Sequence, residues 1–268
     1  MAKKSRATTN PKTNPGRDDC PSKSEAHPPI VAQTSSSSSS SLLVKNKTIQ
    51  QQLDLQPLVP GAVYTANSFL SSQECQAWIR LVEEFPKALV YTQHPASRTM
   101  AQRECSRWQR QDWEMADALF ERMKHSTIIA QLESYLFSTC TSTTTTQMPR
   151  RQQQEQQQKR MITAVNGNLR VYKYERTMSF GKHVDGNERT DRGMTQVTVL
   201  IYLSNCVGGA TRFHFGRKEQ VAIDPHEGKI LFHVHGTHCL VHEADAVKQG
   251  VKYVLRTDLI YNTNAMPS

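Results

Sequence analysis

From Ser71 onward the apolar positions recur at helical spacing. Ser71-Ser72-Gln73-Glu74 has the Ser-x-x-Glu form of a capping box, and Cys75, Trp78, Ile79, Val82 and Phe85 then share one face. Pro86 cannot continue a helix, so the spacing predicts one that closes there. A second helix is predicted over 112–124, with Trp113, Ala116, Leu119, Phe120 and Met123 as its stripe. Such stripes pack against a neighbouring layer, which assigns both Trp78 and Trp113 to the core.

Past residue 160 the period shortens. Segments 169–174, 196–203, 210–215, 229–233 and 251–261 are rich in β-branched or aromatic residues and are separated by Gly, Pro and Asn. Helices followed by a run of strands predict an α+β chain, a β-sandwich or barrel backed by helices.

Two stretches follow neither period. Residues 1–56 contain the serine run 35–41 among scattered Pro, Asn and Lys, too little apolar surface to offset chain entropy. They read as a disordered tail, with the folded domain taken as 57–265. Residues 141–160, TSTTTTQMPRRQQQEQQQKR, lie between patterned segments and read as a low-complexity insertion.

Charge changes the picture only by its location. Of the net +9, the tail holds +4 and the insertion +3, leaving +2 for the rest, which argues against a shaped nucleic-acid surface. No run is apolar enough for a signal peptide or a membrane span, so a cytoplasmic or nuclear location without a membrane partner is expected. The six cysteines are dispersed, with no C-x-x-C pair, and signal neither a disulfide framework nor a cysteine-based zinc site.

Candidate chemistry starts at His183-Val184-Asp185. On an extended backbone, residues two apart point to one face, so an imidazole and a carboxylate can converge on one ion. A third donor has four candidates: His233, His235, His238 and His242.

The surrounding motifs occur in a recognisable order. Leu169-Arg170-Val171-Tyr172-Lys173-Tyr174 precedes Phe180-Gly181-Lys182-His183-Val184-Asp185. Ile201-Tyr202-Leu203-Ser204-Asn205, Gly208-Gly209-Ala210-Thr211-Arg212-Phe213 and Pro225-His226-Glu227-Gly228 follow, and His242 leads through Lys252 to Tyr253-Val254-Leu255-Arg256-Thr257-Asp258. Together, over about a third of the chain, they resemble the prolyl 4-hydroxylase-like branch of the iron(II)/2-oxoglutarate oxygenases.

That resemblance implies a double-stranded β-helix, or jelly-roll, barrel with supporting N-terminal helices. It implies that His183, Asp185 and His242 are the catalytic metal ligands. His242 is singled out because that branch carries a basic residue ten positions after the distal ligand, where Lys252 stands. Lys252 is thereby implied as the cation for the far carboxylate of 2-oxoglutarate, with Arg256 as the alternative, and Tyr174 and Tyr202 as hydroxyl donors to it. Iron(II), 2-oxoglutarate and O₂ are implied, with ascorbate as a further cofactor. Two imidazoles and a carboxylate leave coordination positions open for keto acid and dioxygen. The reaction so implied converts 2-oxoglutarate to succinate and CO₂ while hydroxylating a C–H bond, in a protein side chain such as proline. The alternatives are oxidative demethylation of nucleic acid and a metal-binding β-sandwich or cupin-like module without turnover. Segment 186–193, polar and just past the metal motif, is expected at the substrate rim.

Overall fold

The computed structural model describes residues 52–84, 88–97, 101–137 and 161–261; the insertion 141–160, most of the tail, Phe85 and Pro86 lie outside them. Its first half contains β1 (Gln56–Val59), β2 (Val63–Ala66), α1 (Ser72–Glu84), β3 (Val90–His94), β4 (Arg103–Gln111), α2 (Trp113–His125) and α3 (Ile128–Phe137). The second half is all strand apart from one 3-10 turn at Gly236–His238: β5 (Ile162–Val165), β6 (Asn168–Tyr174), β7 (Phe180–His183), β8 (Arg189–Thr190), β9 (Gly193–Tyr202), β10 (Cys206–Gly208), β11 (Thr211–Phe215), β12 (Glu219–Ile223), β13 (Ile230–Val234), β14 (Val241–Ala244), β15 (Val247–Gly250) and β16 (Lys252–Tyr261).

The helices begin as their caps dictate. Ser71 and Glu74 exchange the reciprocal bonds of a capping box at the start of α1: Oγ of Ser71 accepts from the Glu74 amide, and the Glu74 carboxylate accepts from the Ser71 amide at 2.8 Å. Asp112 caps α2 by accepting from the Met115 amide. Met115, Ala116, Leu119 and Met123 form the buried face of α2. Trp113 and Phe120 are only half-buried, and Trp113 lies under the Arg192 guanidinium at 4.2 Å. The stripe expected from the sequence is therefore rotated toward Met115.

Strand order in the main sheet is β1-β2-β13-β9-β16-β6-β4-β7-β14-β11-β12, with β3 on β4, β5 on β16 and β8 on β9. These antiparallel ladders curl into a nearly closed jelly-roll barrel, the fold class expected. β16 shows how one strand serves two layers. Tyr253, Leu255 and Leu259 face outward into the cluster that contains α1, α2 and α3, while Val254 faces the interior with Tyr172, Tyr174, Tyr202 and Phe213. The period of two then places Lys252, Arg256 and Asp258 inside as well.

Packing also begins before residue 57. Leu53 and Leu55 are buried in the outer cluster, because the segment ahead of β1 is tied to α3: the Leu55 amide donates to Gln131 Oε1, and Gln131 Nε2 donates to the Leu53 carbonyl. Two apolar residues among polar neighbours carry no period, so the sequence pattern alone does not reveal them.

Candidate metal centre and cleft

β7 and β14 run side by side with His183 opposite His242, and Phe213 of β11 stands opposite His242 on the next strand. Register thus brings two residues far apart in sequence together, with their rings 4.2 Å apart. The Nδ1 atom of His183 lies 2.8 Å from the Gly181 carbonyl, and that of His242 lies 3.0 Å from the Leu240 carbonyl. A carbonyl only accepts, so each Nδ1 carries the proton and each Nε2 keeps a lone pair. Burial holds both imidazoles neutral. It lowers His183, and together with the neighbouring His233 it brings His242 down to about 3.

Asp185 completes the group, with one donor atom from each of His183, Asp185 and His242 within 4.8 Å of the others. Burial opposes its charge, but the Arg256 guanidinium beside it holds the carboxyl well below the usual range. Arg256 lies 3.1 Å from Oδ1, and the Thr198 hydroxyl donates to Oδ2 at 2.9 Å. Thr198 has a single proton, so at its 2.9 Å contact with His235 it accepts from Nδ1. Nε2 of His235 then accepts from the Thr195 hydroxyl. His235 therefore supports Asp185 at one remove, and His238 is exposed on the 3-10 turn.

His233 presents a further donor. It is 1% exposed, its ring lies 4.5 Å from that of His242, and its Nε2 approaches Asp185 Oδ2 at 3.4 Å without making a hydrogen bond. With Cys239 and His242 it forms a second group of donors, also within 4.8 Å.

Lys252 lies deeper, 2% exposed, with Nζ donating to the Gly209 carbonyl and lying 5.3 Å and 5.6 Å from the rings of Tyr174 and Tyr202. Burial pushes its ammonium down to about 8. Gly209 makes room for it: φ is +67°, and an added Cβ would stand 3.3 Å from the lysine stem. Tyr202 donates its hydroxyl to Thr211, while the buried Tyr174 lies opposite Lys252 on β6. Arg256, on the same face four residues on, is committed to Asp185 and Asp258 rather than facing this pocket.

The arrangement suits the groups the sequence resemblance implies. Two neutral imidazoles and an ionised carboxylate are a donor set suited to iron(II), and a buried ammonium between tyrosines, with no ion-pair partner among the described residues, has the charge to receive a carboxylate. Sequence reasoning missed Thr198, the supporting position of His235, the proximity of Cys239, and two arginines of β4 described below. Only geometry reveals them, because hydroxyls and arginines on strands carry no distinctive spacing.

Residues 169–257 match the family model of the 2OG-Fe(II) oxygenase superfamily. No curated protein matches the chain. Among solved structures, a Trichoplax adhaerens prolyl hydroxylase in complex with a hypoxia inducible factor peptide fragment aligns with TM-score 0.51 at 18% identity, covering 76% of this chain and 86% of that one. A viral collagen prolyl hydroxylase from Paramecium Bursaria Chlorella virus-1 aligns with TM-score 0.48 at 17% identity, covering 74% and 95%. The first likeness establishes a shared fold.

Proposed function

We propose that the chain, whose residues 169–257 match the 2OG-Fe(II) oxygenase superfamily model, is a 2-oxoglutarate-dependent dioxygenase that hydroxylates a C–H bond of a protein side chain, proline first among the candidates. The observation that carries this reading is the convergence of His183, Asp185 and His242 in the same barrel as the buried ammonium of Lys252, which has no ion-pair partner among the described residues. Iron(II) with 2-oxoglutarate and O₂ supplies the oxidising chemistry, releasing succinate and CO₂, and ascorbate serves as a reductant that keeps the iron ferrous. His183 and His242 would hold the ion through Nε2, and Asp185 would hold it as a carboxylate steadied by Thr198 and Arg256. Lys252 binds the far carboxylate of the keto acid, with Tyr174 and Tyr202 walling that pocket. The peptide bound to the Trichoplax enzyme supports a polypeptide substrate.

Succinate formation from 2-oxoglutarate that requires iron(II) and rises with proline-containing peptides tests the reading, run with ascorbate and without it. His183→Ala, Asp185→Ala and His242→Ala are each expected to abolish it and to lose stoichiometric iron, while His238→Ala keeps both. Iron retained in His183→Ala and Asp185→Ala but lost in His233→Ala would move the centre to the other donor group.

A further inference from the structure

We propose that the substrate is acidic: a peptide whose Asp or Glu side chains flank the oxidised residue and pair with Arg103 and Arg107. This rests on the oxygenase reading of the same site and names the class of molecule the site selects. β4 joins the two walls of the barrel, pairing with β6 from Ser106 to Gln111 and meeting β7 where Arg103 stands opposite Phe180. Cys105 packs in the interior cluster and Trp108 in the outer one, so Arg103 and Arg107 share the inner face with Cys105. Arg107 stands opposite Tyr172, itself an interior residue. The Arg103 guanidinium lies 5.4 Å over the ring of Phe180, which stacks at 3.7 Å on His183. A cation thus sits one aromatic ring away from a candidate metal ligand.

Other arginines on this inner surface have their counter-ions. Arg170 lies 3.6 Å from Glu188 and 3.7 Å from Asp258, and Arg256 lies beside Asp185. Arg103 and Arg107 are half-buried and have no carboxylate partner among the described residues, and Arg103 Nε is buried without any hydrogen bond. A partly desolvated charge left unpaired is costly, and a guanidinium fork matches a carboxylate in shape and charge. The charge is also local. The exposed Glu188, beside Arg170, would repel the continuous row of phosphates of a nucleic acid, whereas a peptide can bring a carboxylate to each arginine alone.

The test uses the full chain and short labelled peptides with a central proline flanked by Glu, Gln or Lys. Binding is read by fluorescence anisotropy with iron(II) and 2-oxoglutarate in the absence of O₂, and succinate release is read in parallel with O₂. The Glu peptide is expected to bind about tenfold or more tighter than the Gln peptide, a margin that shrinks with salt. Arg103→Glu with Arg107→Glu should reverse the order in favour of the Lys peptide, a gain that an unfolded protein cannot give. Arg107→Gln alone should narrow the margin. Binding indifferent to peptide charge overturns the proposal, as does tighter binding of a single-stranded RNA probe than of the Glu peptide. Charge reversal that weakens 2-oxoglutarate rather than peptide would assign the arginines to the co-substrate and overturn it as well. No iron-dependent succinate with any peptide would sink the oxygenase reading, and the anisotropy order would still report on the arginines.

Discussion

The two carboxylate oxygens of Asp185 are held by different groups, Arg256 at Oδ1 and Thr198 at Oδ2, with His235 fixing the hydroxyl of Thr198 in turn. Thr198→Val keeps the shape and removes the donor, so iron affinity is expected to fall about 10- to 100-fold with the fold intact, measured by anaerobic iron titration. Lys252 makes a prediction in pH. Its folded value of about 8 lies below the ordinary 10.5, and only the ammonium form attracts a carboxylate. The apparent dissociation constant for 2-oxoglutarate is therefore expected to rise as pH climbs through 8, approaching about tenfold per pH unit, and this slope should vanish in Lys252→Ala. In the free protein the sign is opposite. Between about 8 and 10.5 the unfolded chain binds more protons at this residue, so its contribution to stability grows with pH across that window.

At the scale of elements, what the sequence discloses follows burial. β6, β9, β13 and β16 are buried on both faces or nearly so, and their runs of β-branched and aromatic residues are readable. β1, β3 and β12 are exposed edges with no period to read. β4 hides for another reason: its sequence, RECSRWQRQ, puts arginines on the inner face, so the apolar alternation that marks a strand is missing. The convergence of His183 and Asp185 is legible because their spacing is local to one extended segment. Which C-terminal histidine converges with them is not legible from residues alone, because the 3-10 turn Gly236–His238 decides where the histidines on either side point. Leu255 lies at the centre of β16, fully buried against the helices, and Leu255→Ala is expected to cost ~2–5 kcal/mol in urea unfolding. A cost under 1 kcal/mol would mean that the helical layer does not stabilise the barrel through this strand.

For the whole molecule, the packed unit extends to Leu53, and α3 anchors both that segment and β5, whose Ile162 amide donates to Glu133. A chain that begins at residue 58 loses two buried leucines and leaves Gln131 short of a partner. Compared with one that begins at 52, it is expected to melt several degrees lower in calorimetry, since each core leucine is worth ~2–5 kcal/mol. Equal melting temperatures would show the segment to be dispensable. Among the described residues no helix is long and apolar enough to cross a membrane.

His242 belongs to both groups of converging donors, one completed by His183 and Asp185, the other by His233 and Cys239. Nitrogen and carboxylate oxygen suit ferrous iron, whereas two imidazoles and a thiolate suit zinc, which binds such ligands more tightly. Were zinc to occupy the second group, the two ions would share the His242 ring, and turnover would depend on the balance of metals around the protein. Zinc is expected to shield the Cys239 thiol from alkylation and to stop succinate release, with both effects reversed by a chelator followed by iron. Cys239 alkylated equally fast with and without zinc would show that the competition does not occur.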